Sequence, residues 1–278
     1  MTELKSKIKI YLPYMLGFLS AAVLVLAAWA GTELSESYHG RVKAYKMAEK
    51  LVQQAEQLAQ DEQLRHELLV ESVSKGSQPA MLKKAEKMEK RQLLTLVNPW
   101  NNVPEGYEVE LENITDEQAV DVRCIEDLRH MVLDCFMAGA NPYICSSYRT
   151  QEMQEYLYDN KMMRVMAEGY SAELAPEIAA RSVAIPGTSE HQLGLAVDII
   201  DEYYPNLNYT QEYTYTQQWL IKHSWEYGFI LRYPNGTTDI TGIIYEPWHY
   251  RYVGKDVAAE IHELGITFEE YIESRRGR

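Results

Sequence analysis

Two short segments contain residue types at spacings that could bind a metal ion. His191 and Asp198 are seven residues apart, and the apolar residues at 195–197 and 199–200 around the aspartate are typical of a buried strand. A carboxylate among apolar side chains is costly unless a partner neutralises it, and a metal ion does this well. His249, which is followed by the strand-like residues 250–253, supplies a third candidate ligand.

Two histidines and an aspartate would form the open site of a catalytic zinc ion, in which the fourth position is left for water. Glu246, three residues before His249, is the candidate base for that water. Glu190 is its rival because it adjoins His191. Adjacent residues of an extended segment point in opposite directions, so we expect Glu190 to face away from the metal.

The alternative is that these residues have no metal-binding role. A histidine and an aspartate at this spacing occur by chance in many proteins, and Glu-x-x-His alone is equally unspecific. Together, each beside an apolar strand, the two segments favour a metal site. We expect packing or surface roles for the histidines outside these segments, which lack a partner motif: His39, His66, His130, His223 and His262.

Length and charge limit the classes of protein to consider. A chain of 278 residues with 46% apolar residues is long enough for one ordinary domain and additional segments. The net charge of -14 argues against nucleic acid as a partner. An anionic substrate would need local positive charge from a metal ion or an arginine. The sequence does not indicate the oligomeric state.

Residues 1–31 are predicted to be a cytoplasmic tip and a single transmembrane anchor. The uncharged run at 10–30 is long enough to cross a hydrocarbon core of ~30 Å. Lysines at 5, 7 and 9 precede it, which places the N-terminus inside and the remainder outside. The alternative is a cleaved signal peptide and a secreted protein, because Ala28-Trp29-Ala30 resembles a cleavage site.

The rest of the chain is divided in two by composition. Residues 32–94, with a break at 76–79, predict a helical stalk or hairpin, and a dimerising coiled coil is the alternative. Residues 95–278 are predicted to form the domain that carries the metal residues. Thr115 and Gln118 form a capping-box pattern before a predicted helix, and Thr150 is the predicted cap of a second helix that stops at Gly169. Strands scattered among helices, without regular alternation, predict an α+β fold with a small antiparallel sheet.

Four motifs resemble those of D-alanyl-D-alanine carboxypeptidases of the VanY type, within the zinc peptidase group (peptidase family M15B) that also includes VanX dipeptidases. The motifs are SEHQLGLAVD at 189–198, EPWHYRYVG at 246–254, SSYR at 146–149 and YGFILRYP at 227–234. The resemblance covers roughly residues 94 to 273. It implies a zinc peptidase domain of the LAS type, in which a small sheet is flanked by helices.

The resemblance also implies roles for individual residues. It assigns zinc binding to His191, Asp198 and His249, and the base to Glu246. It implies that Arg149 stabilises the oxyanion of a tetrahedral intermediate. A further group of residues is considered for substrate contact: Ser189 by resemblance, and Tyr148, Trp248 and Tyr233 as walls of a cleft, although aromatic side chains lie more often in the core.

The implied reaction is removal of the terminal D-alanine from peptidoglycan stem peptides. An L,D-carboxypeptidase that trims tetrapeptide stems carries much the same motifs and stays open as an alternative. A dipeptidase is disfavoured because no insertion that would close the cleft is evident. A non-catalytic wall-binding module is disfavoured because such a module could lose Glu246 or Arg149, and both are present.

Overall fold

The computed structural model describes residues 92–276, which belong to a compact unit, Met81–Arg278. The predicted anchor and nearly all of the predicted stalk lie outside the described residues. Across residues 92–276, no helix is both long and apolar enough to cross a membrane.

Short strands and helices alternate irregularly along the described chain, joined in places by single 3-10 turns. In order they are β1 (Leu111–Asn113), β2 (Ala119–Asp121), α1 (Ile125–Met137), β3 (Pro142–Ser146), α2 (Gln151–Ala167), α3 (Ala175–Ala180), β4 (Ala196–Asp201), α4 (Tyr215–His223), β5 (Phe229–Leu231), α5 (Thr238–Thr241), β6 (His249–Tyr252), α6 (Lys255–Leu264) and α7 (Phe268–Arg275).

The larger sheet has four antiparallel strands in the order β3-β4-β6-β5, and β1 pairs with β2 in a separate hairpin. This confirms the predicted α+β fold with small antiparallel sheets. Every residue of β4 and β6 is buried, as expected for central strands covered on both faces. These two strands carry Asp198 and His249.

The main core joins the sheet to the helices beside it. Buried side chains of α1, among them Leu128 and Met131, belong to one cluster with Val197 and Ile199 of β4 and Leu220 of α4. Burying each such side chain stabilises the fold by roughly 1.5–3 kcal/mol. A second cluster forms around α6 and α7 and includes Ile230 of β5 and Val253, directly after β6. The central strands are therefore held on both sides by apolar packing.

The predicted helix after Thr115 begins in the wrong place. Residues 111–121 form the hairpin β1–β2, and α1 begins only at Ile125. Thr115 Oγ1 accepts a hydrogen bond from the backbone N–H of Gln118 at 3.1 Å, as in a capping box. The Ile114 N–H also donates to the Gln118 carbonyl at 2.9 Å, which closes a turn. The same side-chain to backbone bond serves turns and helix caps, so the pattern misled the prediction.

The predicted start and end of the next helix, α2, are confirmed. The Thr150 side chain accepts from the Met153 N–H and starts α2, and Gly169 follows its end with a φ of 100°. The sequence interpretation overlooked α7. It begins at a complete capping box, in which Thr267 and Glu270 exchange side-chain to backbone hydrogen bonds.

Candidate metal centre

The candidate ligands meet where β4 and β6 pair. Asp198 lies in β4, His249 is the first residue of β6, and the antiparallel register makes their Cα atoms direct partners. Facing residues on neighbouring strands have Cβ atoms ~4.5–5.5 Å apart, so the pairing alone brings the two side chains into contact. His249 Nδ1 lies 2.9 Å from Asp198 Oδ1.

His191 reaches the same place from a 3-10 turn, Glu190–Leu193, that precedes β4. Its Nδ1 lies 2.7 Å from the Ser147 carbonyl oxygen, and its Nε2 lies 3.3 Å from Asp198 Oδ2. A carbonyl oxygen can only accept a hydrogen bond, so Nδ1 carries the proton. Nε2 therefore presents its lone pair towards Asp198.

Gly194 makes the connection between His191 and Asp198 possible. It ends the 3-10 turn with a φ of 70°, in the left-handed region that favours glycine. A Cβ atom at this position would lie 2.8 Å from Val109 Cγ2 and 3.1 Å from the backbone nitrogen of Asp121. Both the backbone conformation and the close approach therefore require glycine here.

Together the three side chains form a compact, buried group. One ligand atom from each of His191, Asp198 and His249 lies within 4.8 Å of the others. Their exposed fractions are 2%, 4% and 4%. The two imidazole rings are nearly perpendicular, with centroids 4.9 Å apart, so both can direct a nitrogen at one point. Two nitrogens and a carboxylate oxygen are a donor set that zinc accepts.

The charge states of these three side chains are also compatible with binding a metal cation. Burial, helped by the charge of Arg149, lowers the pKa of His191 to about 4, so its ring is neutral near pH 7. Burial opposes the charged form of Asp198, but its contacts with both histidines hold its pKa well below the ordinary value. Burial lowers the pKa of His249, but its contacts with the carboxylates of Asp198 and Glu190 outweigh burial and raise that pKa to about 9. The negative charges of Asp198 and Glu190 thus favour a proton on His249, and a bound metal ion would take the place of that proton.

Glu246 lies on the same side of His249 as Asp198. Its Oε2 is 4.0 Å from His249 Nδ1, and its exposed fraction is 7%. Burial raises the pKa of Glu246 to about 8, although the positive charge of His249 opposes the rise. A cation held by the three candidate ligands would favour the ionised carboxylate, which is the form that accepts a proton.

Arg149 borders the group from the segment between β3 and α2. Its Nη2 lies 2.8 Å from Asp198 Oδ2, and its Nε donates to Ser146 Oγ at 3.0 Å. Its backbone N–H donates to the His191 carbonyl at 3.2 Å. The side chain is 17% exposed, so the guanidinium reaches both the buried group and solvent.

Comparison with known proteins places this geometry in a family. A family model described as VanY: D-alanyl-D-alanine carboxypeptidase matches residues 117–255, which include the three candidate ligands, Glu246 and Arg149. This chain belongs to the VanY family. A curated D-alanyl-D-alanine carboxypeptidase from Enterococcus faecalis (strain ATCC 700802 / V583) is 41% identical over 183 residues, which cover 66% of each chain. The matched segment thus spans slightly under two thirds of that relative's length.

Solved structures of related carboxypeptidases are similar to about two thirds of this chain. A mutant of the vancomycin resistance D,D-pentapeptidase VanY in complex with Zn(II) is 40% identical, with a TM-score of 0.60 over 65% of this chain and 99% of that one. VanYB in complex with D-Alanine-D-Alanine is also 40% identical, with a TM-score of 0.61 over 66% and 98%. The LdcB LD-carboxypeptidase is 32% identical, with a TM-score of 0.55 over 65% and 86%.

The predicted substrate residues of this VanY chain lie at different depths around the group. Ser189 is buried directly before the turn that carries His191, and Trp248 is 8% exposed. Tyr148 is half-buried. The ring of Tyr233 lies 4.8 Å from that of His249, centroid to centroid, and packs against a candidate ligand. Substrate contact by these residues stays a prediction.

The reason for expecting Glu190 to face away from the metal is wrong, because its segment is not extended. The segment around it is a 3-10 turn and not an extended strand, so neighbouring side chains do not alternate in direction. Glu190 is 1% exposed, and its Oε2 lies 3.5 Å from His249 Nε2. It therefore approaches the edge of the His249 ring opposite to that faced by Asp198 and Glu246. Glu246 remains the candidate base on the Nδ1 side.

Two buried arginines of the VanY motifs received no role from the sequence. Arg232 and Arg251 are 1% and 0% exposed, and each donates to Glu190 Oε1 at 2.8 Å. Burial opposes ionisation of Glu190, but the two guanidinium groups hold its pKa well below the ordinary value. Arginine within strand-like apolar segments was a signal, because an arginine is rarely buried fully unless it is paired.

Proposed function

We propose that this chain is a zinc-dependent D,D-carboxypeptidase that removes the terminal D-alanine from peptidoglycan stem peptides. The observation that carries the proposal is the buried group of His191, Asp198 and His249 with Glu246 beside it, in a chain of the VanY family. The zinc-bound and D-Ala-D-Ala-bound structures of VanY relatives support the cofactor and the substrate.

In this proposal the three candidate ligands would hold the metal, with His191 Nε2, an Asp198 carboxylate oxygen and His249 Nδ1 as the available donor atoms. When bound, zinc supplies a Lewis acid that polarises the scissile carbonyl and lowers the pKa of water towards neutrality. The donor set and its burial support this assignment.

Glu246 moves the proton in both halves of the reaction. Its carboxylate takes a proton from the water that attacks the carbonyl of the penultimate residue. Arg149 donates hydrogen bonds to the oxyanion that develops there, and its planar guanidinium suits that position at the edge of the buried group. Glu246 then returns the proton to the amine nitrogen as the C–N bond breaks and D-alanine leaves.

The substrate carboxylate needs local positive charge, because the chain as a whole carries a net charge of -14. Arg149, the metal and backbone donors near Ser189 would supply it. We therefore expect peptides with a free terminal carboxylate to be cleaved much faster than amidated ones. Amidation would remove a hydrogen bond between charged groups and leave the cationic site unpaired. The lost interaction contributes about 1.5–3 kcal/mol, which lowers kcat/KM roughly 10- to 100-fold.

The experiment incubates the purified protein with pentapeptide, tetrapeptide and amidated pentapeptide stems and follows the products by mass spectrometry. We expect single D-alanine from the pentapeptide, slower action on the tetrapeptide and little on the amide. Equal cleavage of free and amidated peptides would contradict a carboxypeptidase. Faster cleavage of the tetrapeptide would move the enzyme to the L,D class, and no cleavage of any stem would favour a wall-binding module.

We also propose that residues 1–31 anchor the protein in the cell membrane with the catalytic domain outside the cytoplasm. The lysines at 5, 7 and 9 and the uncharged run at 10–30 support this orientation. We expect the protein to stay in the membrane fraction after a carbonate wash. A mature protein in the medium whose N-terminus is Gly31 would show instead that the segment is a cleaved signal peptide.

A further inference from the structure

A buried ion network lies directly behind the candidate metal centre. Its members are Glu190 from the 3-10 turn, Arg232 after β5, Arg251 in β6 and Glu269 in α7. Arg232 binds Glu269 through two nitrogens, at 2.6 and 2.8 Å. Two positive and two negative side chains give the network no net charge, so the interior holds these ions in compensated pairs.

The two oxygens of the Glu190 carboxylate have different numbers of hydrogen-bond partners. Arg232 Nε and Arg251 Nη1 both donate to the same oxygen, Oε1, at 2.8 Å. Arg251 Nη2 is occupied elsewhere, because it donates to the carbonyls of Leu93 and Thr95 at 3.0 Å. The second oxygen of Glu190, Oε2, is buried without a hydrogen-bond partner. The network thus fixes the carboxylate and leaves one acceptor free.

Within residues 92–276, His249 Nε2 is the other buried side-chain polar atom without a hydrogen-bond partner, and it lies 3.5 Å from Glu190 Oε2. A hydrogen bond between nitrogen and oxygen forms at ~2.7–3.2 Å, so a small rotation of either side chain would close the contact. A buried polar group without a partner costs ~1–3 kcal/mol, which favours that closure.

We propose that Glu190 is a positioning residue for the metal ligand His249. It accepts a hydrogen bond from the Nε2–H of His249 and so fixes the tautomer whose Nδ1 is free to bind the metal. The arginines hold Glu190 in place, and its negative charge makes the imidazole a stronger donor to the metal. The proposal rests on the proposed function for the identity of the ligand, and it adds a residue that does not itself touch the metal or the substrate.

The test compares Glu190→Gln with Glu269→Gln in the full-length protein. Both changes remove one charge from the same buried network, but Glu269 binds Arg232 and Asn98 and makes no contact with His249. Zinc affinity is measured by competition with a chromogenic chelator. We expect Glu190→Gln to weaken zinc binding about 10- to 100-fold, and Glu269→Gln to change it by much less. Equal losses in both variants, or wild-type affinity in Glu190→Gln, would overturn the proposal.

A second measurement needs no variant to fold. Nitrogen NMR of the zinc-loaded wild-type protein, labelled in its histidine rings, reports which ring nitrogen of His249 carries the proton. We expect a proton on Nε2 that exchanges slowly with solvent because Glu190 holds it in the interior. An unprotonated Nε2 would overturn the proposal. If zinc binds in this way and no stem peptide is cleaved, the proposed function fails and the positioning role stands.

Discussion

Replacing Glu246 by glutamine is expected to lower kcat by about 10²–10⁴-fold while the protein keeps its zinc. Glutamine preserves the size of the side chain, but its amide cannot accept the proton of the attacking water. Glu246 lies 4.0 Å from His249 Nδ1, close to the candidate metal but outside the set of three ligands. Proton transfer is therefore lost, and the ligands that hold the metal remain.

The measurement combines zinc content with steady-state kinetics on a pentapeptide stem. Glu273→Gln is a matched control, because it makes the same chemical change at a side chain that is 73% exposed in an ion pair with Arg276. We expect this control to keep both zinc and kcat. If Glu246→Gln keeps its kcat, Glu246 is not the base. If it loses zinc, Glu246 is a ligand.

The positions of Glu246 and Glu190 show what short motifs can and cannot predict. The prediction that His191, Asp198 and His249 belong to one group is confirmed, because polar residues beside apolar strands and the VanY-type motifs are visible within short segments. The direction of Glu190 depends on whether its segment is extended or turned. Gly194, whose φ of 70° ends the turn, was the available signal.

Pairing between distant strands was beyond the local pattern. The register that sets Asp198 opposite His249 depends on which residues of β4 and β6 face each other. A shift by one residue would send each side chain to the other face of the sheet. The network of Arg232, Arg251 and Glu269 likewise joins residues from β6, α7 and the segment after β5, and no spacing within one segment predicts such a contact.

A sequence pattern predicted local structure correctly when it is specific to one kind of structure, and failed when a helix and a turn share it. The Thr150 cap and Gly169 together enclose α2, and both ends were predicted. Thr115 bonds to the backbone N–H of Gln118 in a hairpin turn, where the same bond would also cap a helix. The apolar residues that follow cannot decide between the two, because tertiary packing selects the hairpin.

Replacing either candidate metal ligand, His191 or His249, by alanine is expected to abolish hydrolysis and to reduce bound zinc well below one equivalent per chain. Two protein ligands would remain, and they hold zinc poorly. The loss of affinity should exceed the roughly 10- to 100-fold loss expected for Glu190→Gln, because a ligand atom itself is removed. His191→Ala also leaves the Ser147 carbonyl without its 2.7 Å contact, at a cost of ~1–3 kcal/mol in unfolding free energy.

Zinc content and circular dichroism of the purified variants separate a lost metal site from a lost fold. His223→Ala is the matched control, because His223 pairs with Glu226 at 2.8 Å and packs on Trp219, away from the three ligands. We expect this control to keep about one equivalent of zinc, as wild type does, and to lose activity only when a chelator removes the metal. A folded His191→Ala or His249→Ala variant that binds one zinc and cleaves the pentapeptide at the wild-type rate would show that the catalytic metal lies elsewhere.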